Sequence, residues 1–162
     1  MIRTLHQNTD TAAVKDLFHR AADHVLLEPG RPPDASQTAN FFTGAPPGSD
    51  PSQSLRLGLF IQDALVAIAE VGFGFPNPDD AYLGLLLIDP YHRGKRLGQQ
   101  MVDHVFTATK AQGAARNLIA VLEENTKGRR FWAKMGFTEE RRFPPRQVGL
   151  KTHVHIRMAR PL

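Results

Sequence analysis

Leu87-Ile88-Asp89-Pro90-Tyr91-His92-Arg93-Gly94-Lys95-Arg96-Leu97-Gly98-Gln99-Gln100 is the stretch on which the fold of this chain turns. It joins an apolar run to a helical pattern through a short, basic, glycine-bearing turn. Leu85-Leu86-Leu87-Ile88 is apolar at every position, as in a central strand covered on both faces. Pro90 stops it, because proline cannot donate to a sheet ladder. Over residues 94–112, Leu97, Met101, Val102, Val105 and Ala108 recur at helical spacing, and Gly113 stands where a left-handed helix end belongs. The first turn of a helix leaves backbone N–H groups without partners and carries a partial positive charge. Gly94 and Gly98 give phosphate oxygens access to that backbone, and Arg93, Lys95 and Arg96 add charge at the same end. The spacing is neither the G-x-x-x-x-G-K-[ST] of nucleoside triphosphatases nor the G-x-G-x-x-G of dinucleotide folds. A different phosphate-bearing ligand is implied, against the plainer alternative of a flexible helix start with a solvated basic face.

Upstream, residues 1–6 form a first strand. Val14, Leu17, Phe18, Ala21 and Val25 then mark a helix over residues 10–27, with Thr9 or Asp10 as its cap and Pro29-Gly30 as its end. Residues 29–54 are rich in Pro, Gly and Ser and read as a long loop with a short helix near Ser36–Phe42. Leu55–Ile61 and Leu65–Phe75 form a hairpin across Gln62-Asp63-Ala64. The acidic pair Asp79-Asp80 reads as part of a turn, and Ala81–Ile88 as the next strand. Downstream, Asn117–Leu122 is a strand, Asn125 opens a helix closed by Gly136, and Phe137–Arg141 and Val148–Met158 supply two further strands. The order predicts one α/β domain over residues 1–162, a mixed sheet with helices on both faces.

Composition narrows the function. Among 162 residues, Lys plus Arg number 20 and Asp plus Glu 16, for a formal charge of +4. The excess sits in clusters (93–96, 127–130, 141–146), two of them at helix starts. That favours a local anion site over a long nucleic-acid stripe, and no aromatic-plus-basic RNA motif is present. No apolar run approaches the ~20 residues that cross a bilayer, so no membrane partner is expected. Cysteine is absent, which excludes disulfides, a thiolate nucleophile and cysteine-based zinc sites and fits a cytoplasmic protein. His153 and His155 lie two apart on one strand face with no acidic residue near them in sequence, and no metal site is read from them.

Two motifs now stand in order. Ile88-Asp89-Pro90-x-x-Arg93-Gly94-Lys95-x-Leu97-Gly98 resembles motif A of the GNAT superfamily of N-acetyltransferases, and Asn125-x-x-Gly128-x-x-Phe131-Trp132-x-Lys134-x-Gly136-Phe137 resembles its motif B. The resemblance implies the GNAT fold and transfer of an acetyl group from acetyl-CoA to the primary amine of a small molecule or peptide. By it, the pantetheine arm lies along Leu86, Leu87 and Ile88. Arg93, Gly94, Lys95, Arg96, Leu97, Gly98 and Gln99 surround the pyrophosphate. Asn125 bonds pantetheine or merely caps its helix, and Phe131 and Trp132 pack at the sulfur end or only in the core. The resemblance also allows a homodimer through the last strands.

Two positions depart from the family pattern. Arg96 replaces the middle glycine of Arg-x-x-Gly-x-Gly, and Trp132 stands where a tyrosine often donates a proton to the departing thiolate. Indole has no useful acidity, so that general acid is missing, and a non-catalytic acyl-CoA-binding or sensing domain is the competing reading. For the proton lost by the amine, Glu70 is the first candidate, since apolar neighbours on its strand would raise its pKa. Tyr82 is the second, as an acid or a substrate contact. Glu123 and Glu124, at the end of the fifth strand, stand further back.

Overall fold

The computed structural model describes residues 1–162. Nine strands and five α-helices follow one another as β1 (Ile2–Thr4), α1 (Gln7–Arg20), α2 (Ala22–Leu27), α3 (Ala35–Thr43), β2 (Leu55–Ile61), β3 (Ala64–Phe73), β4 (Asp80–Ile88), α4 (Leu97–Ala111), β5 (Arg116–Leu122), α5 (Thr126–Lys134), β6 (Thr138–Arg142), β7 (Arg146–Val148), β8 (Lys151–His153) and β9 (His155–Pro161). Seven strands form one sheet in the order β1-β2-β3-β4-β5-β9-β6, and β7 and β8 form a separate hairpin. Every pairing is antiparallel except β4 with β5. The mixed sheet expected from the sequence is the one that forms, and it is mostly antiparallel.

Strand alternation sends side chains to two cores. On one face Val14, Leu17, Phe18, Phe41 and Phe42 of α1 and α3 pack against Leu65, Ile68 and Leu87. On the other, Met101, Val102 and Val105 of α4 pack against Val66, Val71, Leu83, Ile119 and Ile156, with Phe131 and Trp132 of α5 at the margin. Leu85 and Leu87 contact the first core while Leu86 and Ile88 contact the second, which is why that run is apolar throughout. No helix is long and apolar enough to cross a membrane.

The seam between β4 and β5 positions the site. Asp80, Ala81 and Tyr82 pair with Arg116, Asn117 and Leu118, and there the pairing ends. From Leu83 to Ile88 the β5-facing edge of β4 has no strand partner, so the sheet opens in a V. At its apex Arg116 donates to Asp80 through Nε (2.7 Å) and Nη2 (3.1 Å) and also pairs with Glu140.

Several sequence expectations need correction. Asp80 is not a turn residue: it opens β4 and is buried by its pairing with Arg116. The helix over 10–27 is two helices, broken at Ala21, whose backbone leaves the helical region at φ −99°, ψ 34°. Its first residue is Gln7, and Asp10 caps from within, accepting from the His6 N–H at 2.7 Å. The helix of the basic turn begins at Leu97, not near residue 94. Val148–Met158 is not one strand, because Gly149 at φ +59° turns the chain into the β7–β8 hairpin before β9 begins at His155.

Candidate functional site

The basic turn follows directly from β4. Asp89 ends the strand buried; its carboxylate accepts from the Tyr91 N–H at 2.9 Å and pairs with Arg20 from α1. The turn is thereby tied to the first helix layer. Gly94 takes φ +77° with nothing within 4 Å of where a side chain would start, so its backbone faces open space. Arg96 precedes α4 with φ +62° and ψ 12°, a left-handed conformation that glycine would adopt without strain. This explains the glycine usual in the motif at this position, and Arg96 holds it at a cost. No side chain caps α4, and the N–H groups of Leu97, Gly98 and Gln99 have no backbone or side-chain acceptor. Lys95 and Arg96 are exposed and make no ion pair.

Not every residue of the turn faces the same way. The Arg93 guanidinium donates to Ile88 O (3.2 Å) and to the Asp23 carboxylate of α2 (3.0 Å from Nη2 to Oδ1). It buttresses the junction of α2 and β4. A side chain begun at Gly98 would lie 3.3 Å from the Phe131 ring, so its absence lets α5 close against α4. Asn125 accepts the Gly128 N–H at 2.9 Å through Oδ1, which makes it the cap of α5, while its Nδ2 has no protein acceptor. Trp132 stacks edge-on against Phe131 (4.8 Å) and Phe137 (5.3 Å) between ring centroids, as part of the second core's margin.

Glu70 points to the α1–α3 face. A bulge between Glu70 and Val71 places Gly84 opposite the carboxylate, and a side chain built at residue 84 would lie 2.6 Å from Glu70 Oε2. Gly84 is exposed and lies on the unpaired length of β4, so the carboxylate sits beside the V, near its apex. Oε1 is buried and unpartnered. Burial pushes the carboxyl up to about 7, against an opposing pull from the Arg56 guanidinium, which is itself held by Phe41 O and Gly44 O. At neutral pH this group both gives and takes a proton readily.

Tyr82 lies two residues along β4, its ring 5.5 Å from Phe75. Burial raises its pKa, with Arg157 pulling the other way. His155 Nε2 lies 3.1 Å from Glu28 Oε1, and His153 is buried between Glu124 and Glu28 O (2.6 Å). These contacts tie β8 and β9 to the end of α2, as does the Leu150 N–H to Pro29 O bond of 2.8 Å. Glu123 pairs with Arg142 at the surface instead of facing the V. Arg157, beside Tyr82 and Phe75, is a candidate that the sequence did not single out. The period-two sequence His153-x-His155-x-Arg157 is the signal that could have found it.

The comparisons agree with this geometry. The Acetyltransferase (GNAT) family matches residues 14–137. No curated protein matches. Among solved structures, the ribosomal-protein-S18-alanine N-acetyltransferase from Escherichia coli is 21% identical with a TM-score of 0.75, over 99% of this chain and 92% of that one. An acetyltransferase from Thermus thermophilus is 22% identical with a TM-score of 0.74, over 100% and 96%. The ribosomal-protein-alanine N-acetyltransferase from Brucella melitensis is 14% identical with a TM-score of 0.78, over 100% and 99%. At such identities the structures establish shared fold alone. With three quarters of its length inside the family match and the V-shaped sheet around it, the chain belongs to the GNAT acetyltransferase family.

Proposed function

We propose that this protein transfers the acetyl group of acetyl-CoA to a primary amine, by direct attack with both substrates bound. One observation carries the proposal: the unpaired β4 edge of the V leads straight into the open turn and uncapped start of α4. A pantetheine arm carries amides that can bond such an edge as an added strand would. The unpartnered N–H groups of Leu97, Gly98 and Gln99 suit a pyrophosphate, and Lys95 and Arg96 supply counter-charge. Leu86, Leu87 and Ile88 would flank the arm, and the free Asn125 Nδ2 could donate to it.

Acetyl-CoA supplies an activated thioester. The amine nitrogen forms the new C–N bond, the C–S bond breaks, and the sulfur leaves with its electron pair. The chain's own part is to hold the amine in place, which is worth a large effective concentration, and to accept its proton. Glu70 is suited to that step: a carboxyl near 7 beside the V, with one oxygen unpartnered. Tyr82 contacts the acceptor in this scheme. Trp132 gives no acid, and a thiolate can depart unprotonated.

The test is thiol release from acetyl-CoA with a panel of amines, followed by mass analysis of the product. Amine-dependent release that falls in Glu70→Gln supports the reading. The position of Trp132 within an aromatic stack favours a second reading, a domain that binds acyl-CoA without turnover. Saturable coenzyme A binding with no release over the whole panel would establish that one instead.

A further inference from the structure

An open cleft of about 460 Å³ is lined by Phe143, Pro144, Pro145, Arg146, His155 and Arg157, the last of them beside Tyr82. It lies between the first residues of β9 and the β6–β7 connection. Residues 155 and 157 pair with Leu122 and Ala120 of β5, and alternation puts both on the sheet face that carries Tyr82 and Glu70. The size suits a small molecule.

The charge of this cavity is one-sided. Arg157 and Arg146 contribute two guanidinium groups, neither in an ion pair, and no carboxylate is among the lining residues. Glu28, at the end of α2, is taken up by His155. The Arg157 guanidinium lies against two aromatic rings, 5.0 Å from the Phe143 centroid and 5.5 Å from that of Phe75. Rings of this kind attract the flat face of the cation and remove water from it. They cannot accept from its N–H groups, which lie in its plane, and Nε is buried with no hydrogen-bond partner. A guanidinium desolvated on its faces, with Nε unpaired although the Tyr82 hydroxyl is close by, is costly unless something further accepts from it. A planar carboxylate fits that edge with two parallel hydrogen bonds.

We infer that the acceptor is a small amine bearing a carboxylate, a free amino acid or close analogue, whose carboxylate is bound by Arg157 while its amine lies toward Glu70. The inference rests on the acetyltransfer reading above and names its substrate class. The geometry permits it: Tyr82, beside Arg157, is two residues from Gly84, about 7 Å along β4, and the Glu70 carboxylate lies over Gly84. Arg146 adds a second cation at the entrance. Phe143 and the two prolines offer an apolar wall for the side chain of the acceptor.

The experiment compares free amino acids with their carboxamides and with simple alkylamines, in wild type and in Arg157→Gln and Arg157→Lys, with thermal melting as a check on folding. Wild type should favour acid over amide in kcat/KM by roughly tenfold to a hundredfold, the scale of a charged hydrogen-bond pair. That preference should collapse in Arg157→Gln, through KM more than kcat, and return in part in Arg157→Lys. Equal use of acids and amides, or a preference that survives Arg157→Gln, overturns the inference and leaves acetyltransfer standing. A parallel arm titrates the same amino acids into the coenzyme A-saturated protein and follows binding by NMR. Binding that is lost in Arg157→Gln without any turnover upholds the carboxylate site and removes acetyltransfer. No binding and no turnover overturns both.

Discussion

Glu70 and Gly84 occupy each other's space: Oε2 of the carboxylate lies 2.6 Å from where a side chain on residue 84 would begin. The bulge between β3 and β4 brings this about, and it sets the carboxylate against the unpaired length of β4. Gly84→Ala should therefore push the carboxylate aside without removing it. Turnover is expected to fall about tenfold or more, since placement of the base matters as much as its presence, with the loss in kcat more than in KM for acetyl-CoA. Steady-state kinetics on Gly84→Ala and wild type checks this, and a fully active Gly84→Ala would show that Glu70 is not used where it stands.

The raised carboxyl of Glu70 makes a pH prediction with two readouts. As proton acceptor it must be ionised, so kcat/KM should climb as pH rises through about 7 and then level. Glu70→Gln should lose that limb. For stability the sign is opposite. Below the ordinary value of 4.5 both folded and unfolded chains hold the proton and the contribution is fully present; between there and about 7 the unfolded chain releases it first, so stability falls as pH rises. Glu70→Gln should flatten that window by something on the order of 2 kcal/mol, partial solvent access included. Melting curves at pH 4, 6 and 8 measure it, and parallel curves for the two proteins would contradict it.

Two substitutions in the basic turn should separate strain from charge. Arg96 stands in a left-handed conformation, so Arg96→Gly should stabilise the protein by about 1 kcal/mol while lowering the salt dependence of coenzyme A binding. Gly94→Val places a branched side chain at φ +77° over the open backbone, and should cut coenzyme A affinity at least roughly tenfold. Calorimetric titration at two salt concentrations tests both. An unaltered affinity in Gly94→Val would mean that phosphates do not approach this turn.

The apex of the V depends on Arg116. Its removal leaves the buried Asp80 carboxylate with only the Asn77 N–H (3.1 Å), so Arg116→Ala should cost on the order of 3 kcal/mol. For a chain of this length that lowers Tm by about 6–12 °C. Scanning calorimetry checks it, and a change below about 2 °C would show that the pair is no stronger than a surface contact.

What the sequence revealed and what it hid divide along a physical line. The strand–turn–helix at residues 85–111 was legible because each part is local: apolar run, proline stop, helical spacing, glycine at each helix end. Periodicity also found the buried residues of α1 and α2, since Val14, Leu17, Phe18, Ala21 and Val25 are all buried. It could not show the break at Ala21, because the apolar spacing runs through it undisturbed. Asp80 looked like a turn residue beside Asp79 since its partner Arg116 is 36 residues away. Arg157 was hidden for the same reason: its significance comes from Phe75, Tyr82 and Phe143, which only the folded sheet assembles. The split of residues 148–158 hinges on one glycine at positive φ, which a strand-like composition masks.

On the proposed function, the widening gap between β4 and β5 and the turn before α4 form one continuous groove for coenzyme A. Isothermal calorimetry of coenzyme A into the folded protein tests it most directly. The expected result is a saturable, one-to-one heat that weakens with added salt. A folded protein that gives no heat over a millimolar range of coenzyme A would contradict it.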